Sequence, residues 1–128
     1  MGDSVVHLNW YFGWGLVVSA FVTGALIGIF FHQEEFLGGY ASFRRRLLRL
    51  GHIAQAALGM MNVLYSVSTN RAEWFDTQMA SWAFVVGGVS MPMVCFLSAW
   101  KKSFRHLFFI PVIALLVAVI QTLRNGPP

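Results

Sequence analysis

The sequence predicts an all-α fold, a four-helix transmembrane bundle with both termini on the non-cytoplasmic side, and three observations carry that prediction. Of the 128 residues 57% are hydrophobic and only 11% are charged, against about 25% charged in soluble domains. The charges are gathered at boundaries and leave four long uncharged stretches. Seven of the nine lysines and arginines fall in two connecting loops, the asymmetry that marks cytoplasmic loops. Apolar runs of this length are helices, because a strand in lipid shows short alternating segments and cannot satisfy its own backbone.

The first stretch, Ser4 to Gln33, has thirty residues, where about 20 cross the hydrocarbon core. A span over roughly 8–31 is expected. Asp3 stands where a secretory signal has a basic flank, and no small-x-small cleavage site follows, so a mature helix is expected. Ala20, Gly24 and Gly28 place small residues on every fourth position, a surface for close packing against the second span. Glu34 and Glu35 follow. In the next segment, 40–49, Phe43, Leu47 and Leu50 lie at helical spacing opposite arginines. It should lie along the inner interface before turning into the second helix.

The second stretch, Leu50 to Asn70, has twenty-one residues, with a span expected over 50–70. It carries a polar line of His52, Gln55, Gly59, Asn62, Ser66 and Thr69 spaced by threes and fours. An Asn or Gln facing lipid is costly, so this line should face protein. The third span, 78–100, has Ser81, Gly88 and Cys95 at heptad spacing, Gly87 beside them, and Pro92 placed to free a backbone carbonyl. The fourth, 106–123, is Val, Ile, Ala and Leu almost without interruption after Pro111. That composition suits the most lipid-exposed position or a docking face for another subunit.

Orientation follows from the loops. The basic side nets +5 and the opposite side −1, within a total of +4. Trp10, Tyr11, Trp14, Trp74, Phe75 and Trp82 belong to the outer aromatic belt and Trp100 to the inner. A multi-pass protein of a bacterial cytoplasmic membrane, or one of equivalent topology, is the expected setting. The basic charge belongs to topology and anionic headgroups rather than to nucleic acid. No repeat, linker or low-complexity tract divides residues 1–128, so one membrane domain is expected.

Three histidines fall at one depth: His32 ends the first span, His52 opens the second and His106 opens the fourth, with His7 alone outside. Imidazoles at one level on three helices are what an axially ligated haem b or a metal ion requires. His52 with His106, or with His32, are the candidate pairs. Gly51, Ala56 and Gly59 would let a porphyrin lie flat on the second helix, and Arg45, Arg49 and Arg105 could pair with its propionates. A mixed site of these histidines with Glu34 or Glu35 would suit zinc or iron, and Met60, Met61, Met79, Met91, Met93 and Cys95 would suit copper(I).

The alternative is packing alone, since small and weakly polar residues hold membrane helices together without chemistry. No Asp, Glu, Lys or Arg lies inside the four spans, which disfavours ion-coupled carriers. Phosphate-cradling loops, nucleophile elbows, HExxH and CxxC are all missing, so a stand-alone enzyme is not expected. Two classes of function remain. One is a redox subunit passing electrons through haem b; the other is a non-catalytic membrane subunit that packs against partner subunits or further copies of itself.

Overall fold

The computed structural model describes the backbone of residues 2–69 and 78–124 and the side chains of 7–69 and 78–124. Four α-helices follow in order: α1 Gly2–Phe31, α2 Phe43–Thr69, α3 Gln78–Trp100 and α4 Phe109–Arg124. Short 3-10 segments at Phe36–Gly38 and Lys102–Phe108 link the first pair and the last pair. No strand occurs among the described residues. The segment 70–77, with Trp74, Phe75 and the charges Arg71, Glu73 and Asp76, lies outside them.

Each helix runs antiparallel to its predecessor, as the paired residues show. Gly13 of α1 meets Gly59 of α2, and Gly24 meets His52. Gly51 of α2 meets Cys95 and Phe96 of α3, while Gly87 of α3 meets Leu115 of α4. Helices α1, α2 and α3 form a mutually packed core, and α4 lies chiefly against α3. There Ala118 joins a cluster with Tyr65, Ala80 and Phe84. The fourth helix is therefore appended to a three-helix core rather than completing a ring of four.

Three segments are long and apolar enough to cross a membrane: His7–Phe31, Gln78–Trp100 and Lys102–Arg124. The four helices bury polar side chains beside apolar ones and turn large apolar side chains outward. Asn9, Gln55, Asn62, Ser66, Ser81 and Ser98 are buried, while Phe21, Leu26, Ile29, Leu64 and Ile113 are exposed. Such a surface suits hydrocarbon, since a soluble monomer rarely exposes large contiguous apolar patches. The chain thus has the exterior of a multi-pass membrane protein.

Residues 43–49 form the first two turns of α2, and Arg45 turns inward there and ties this end to the turn after α1. One sequence expectation changes. Gly28 is exposed and a side chain there would meet nothing within 4 Å, so it lies off the packing surface. The crossing of α1 and α2 lies instead at Gly13 and Gly59. A Cβ on either would come 2.7–2.8 Å from the other's carbonyl oxygen, so only hydrogen fits at both.

Arg45 explains how the basic end is built. It is 2% exposed, although arginine is almost never buried without partners. Its Nε donates to the Phe36 carbonyl at 2.6 Å, Nη1 to Phe31 at 3.4 Å, and Nη2 to Glu34 at 3.1 Å and to Gln33. The guanidinium stands 4.9 Å from the centre of the Phe31 ring and 5.9 Å from that of Phe36. The last carbonyls of a helix have no partners within it and attract a cation; here a side chain of the next helix supplies both donors and charge. The chain reverses beneath it with positive φ at Leu37, Gly38 and Gly39, where the two glycines take that backbone without steric penalty.

Candidate functional site

Two polar clusters join the core helices, one near each end. At the end away from the arginines, Asn9 of α1 donates through Nδ2 to Asn62 Oδ1 of α2 at 2.8 Å and to the Ser81 carbonyl of α3 at 3.3 Å. Ser81 Oγ donates back to Asn9 Oδ1. Asn62 Nδ2 donates to the carbonyls of Leu58 at 2.8 Å and Phe84 at 3.4 Å. Both amides and the hydroxyl thereby use every donor they have. Asn9 and Asn62 are 0% exposed, so the cluster is dry and tolerates no missing member.

Such a network is checked by a double-mutant cycle on Asn9→Leu and Asn62→Leu. Each single change should cost about 1–3 kcal/mol by leaving a buried amide unpaired, and the pair less than the sum. Strict additivity in reversible unfolding would show that the two amides do not act together.

The second cluster contains His52. Thr23 Oγ1 of α1 donates to Gln55 Oε1 at 2.7 Å and lies 3.3 Å from His52 Nδ1. Gln55 Nε2 donates to Ser19 Oγ at 3.1 Å, and Ser19 donates to the Leu16 carbonyl at 2.7 Å. Thr23 Oγ1 also lies 3.1 Å from the Ala20 carbonyl, so its one proton has two acceptors at hand and His52 Nδ1 sits beside the hydroxyl oxygen. A Cβ at Gly24 would fall 2.7 Å from His52 Cε1 and 3.2 Å from Nε2. That edge of the ring therefore lies close against α1.

His52 is half-buried; His32, beyond the end of α1, and His106, in the 3-10 helix before α4, are both exposed. Among the described residues no three His, Cys, Asp or Glu side chains gather as a metal-holding group. Arg105 is exposed; Arg49, half-buried, donates to the Tyr40 carbonyl at 3.2 Å and covers that ring at 4.6 Å. Glu34 and Glu35 are exposed. Among the sulfur side chains, Cys95 is fully buried against Gly51 while Met60, Met61, Met79 and Met93 face outward.

The small residues beside His52 are filled by protein. A Cβ on Gly51 would meet the Phe96 ring at 2.6 Å and Cys95 at 3.1 Å, and Gly59 is closed by Gly13, Leu16 and Val17. The polar line on α2 does face inward, from Gln55 through Ser66. Of its counterpart on α1, sequence reasoning found Ala20 and Gly24 and missed Asn9, Gly13, Leu16 and Thr23. The signal was there as a stripe spaced by threes and fours, masked by the aromatic residues around it.

One apolar groove of about 260 Å³ opens on the basic half, lined by Ile27, Phe30 and Phe31 of α1, Phe36, Leu48 of α2 and Phe96 of α3. Comparison of the chain with protein-family models, with curated proteins and with solved structures finds no match in any of the three.

Proposed function

We propose that the chain is a non-catalytic integral membrane subunit, a self-fastened three-helix core that presents α4 to partner subunits or to further copies of itself. The observation that carries this reading is how the space around His52 is used. The glycines that would let a macrocycle lie on α2 are taken by Phe96 and by α1, and the amides of Asn9, Gln55 and Asn62 are bonded to neighbouring helices. On α4 only Pro111 and Ala118 are buried, and Ile113, Leu116, Ile120 and Leu123 face outward.

In this reading α2 is the fourth span. Its composition is too polar to mark it as one, yet from Leu50 to Val67 its exposed positions are Leu50, Ile53, Ala57, Met60, Met61, Leu64 and Val67. Lipid would meet hydrocarbon on every outward turn while the amides stay inside. Four spans with the arginine-rich loops on the cytoplasmic side put both termini outside, a topology that fits a bacterial cytoplasmic membrane.

A redox subunit binding haem b is the second reading, and His52 favours it. Its Nδ1 lies 3.3 Å from Thr23 Oγ1, the kind of contact that fixes the ring of an iron-binding imidazole. His106 or His32 would be the other axial ligand, with Arg49 and Arg105 toward the propionates. One sample separates the two: detergent-purified protein, its absorption spectrum oxidised and then dithionite-reduced, its metal content, and its mass by native mass spectrometry. The subunit reading expects no visible bands, no metal, and a particle heavier than one 14.3 kDa chain. A lone colourless chain sinks it, and sharp reduced α and Soret bands that vanish in His52→Ala establish the haem reading.

A further inference from the structure

The apolar groove lies where α1 and α3 part. At the far end the two helices touch, Asn9 against Ser81 and Phe12 and Leu16 against Gly88. Toward the basic end they diverge, and the groove fills the gap, with Leu48 of α2 and Phe96 of α3 among its walls. Its volume of about 260 Å³ equals roughly nine water-sized groups at ~30 Å³ each. A partner helix about 10–12 Å across would lie over the groove rather than within it. A single alkyl chain can enter.

Cations stand at the same end. Arg44 lies one turn before Leu48 on α2, and Lys101 follows the end of α3, five residues after Phe96; both are exposed. Arg45, by contrast, is committed to the carbonyls of the α1 turn and is not available to a ligand. The combination is an open apolar groove between α1 and α3 and exposed positive charge toward the same end of the molecule.

We propose that this gap seats one acyl chain of an acidic phospholipid, whose phosphate is held at the basic end by Arg44 and Lys101. The proposal rests on the membrane setting alone and is indifferent to whether His52 binds haem. A basic residue near an anionic surface contributes about fivefold in affinity, so two give a preference for acidic over zwitterionic lipid on the order of 25-fold.

The test is native mass spectrometry of the whole chain released from nanodiscs of phosphatidylcholine and phosphatidylglycerol in equal parts. The wild type should retain one phosphatidylglycerol in strong preference to phosphatidylcholine. Arg44→Gln with Lys101→Gln, two exposed changes that leave the core untouched, should bring the preference close to one while a lipid is still retained. Ile27→Trp, which fills the groove, should abolish retention with helical content unchanged. The proposal is overturned by a wild type that retains no lipid or retains both equally, or by a double variant with undiminished preference. A wild type that leaves the nanodisc as a lipid-free dimer overturns it too, and assigns the groove to a second copy.

Discussion

Replacing Arg45 by alanine is expected to lower the stability of the helical core by on the order of 3–5 kcal/mol, the largest effect of any single side chain. Four carbonyl oxygens at the end of α1 and in its turn would lose a charged donor together, those of Gln33 and Phe36 keeping only a backbone one. A hydrogen bond from a charged group contributes about 1.5–3 kcal/mol, and a buried group stripped of its partner costs its full desolvation. Arg45→Lys should recover less than half. Its ammonium keeps the charge but cannot span carbonyls arranged around a planar fork. Arg49→Ala, which removes one bond to Tyr40 at the same end, should cost no more than about 1 kcal/mol. Reversible unfolding in mixed micelles, followed by circular dichroism, reads all three. Equal losses for Arg45→Ala and Arg49→Ala would refute the clasp.

Glycine substitutions should show the second large effect, and here position decides the sign. In Gly59→Ala the new methyl would lie 2.8 Å from the Gly13 carbonyl oxygen and 2.9 Å from Val17, against backbone that cannot rotate aside. Separating α1 from α2 should cost about 1–3 kcal/mol, and Gly59→Leu more. Gly28→Ala meets nothing within 4 Å and should be neutral or stabilising by up to about 1 kcal/mol, through helix propensity alone. Because Gly13 and Gly59 close the same crossing, alanine at both should cost less than the sum of the singles. Equal effects at Gly59 and Gly28 would place the crossing elsewhere.

These two residues mark where the sequence could be read and where it could not. The line from Gln55 to Ser66 on α2 was legible because burying polar groups in a membrane bundle leaves a periodic mark of few and distinctive residue types. The outward face of α4 was legible for the complementary reason: nothing polar interrupts it until Gln121. The crossing point was not. A chain with twelve glycines offers several small-residue stripes, and only the partner helix selects Gly13 over Gly28. Arg45 was hidden among Arg44, Arg46 and Arg49, three neighbours of like chemistry that stay at or near the surface. Which of four arginines turns inward depends on the path of the preceding turn, a property of two helices at once. The three histidines share a depth, and depth alone says nothing of the direction in which each ring points.

The arginine clasp also bears on the order in which the chain assembles. Its four bonds span only nine to fourteen residues of sequence, and loops of about ten residues close in roughly 10–100 ns. The amide network at the far end joins residues 53 and 72 positions apart and must await α3. The α1 turn can therefore lock as soon as Arg45 is free to reach it, before α3 is in place. The first hairpin then has its sense of return fixed before the polar line on α2 has a third helix to face.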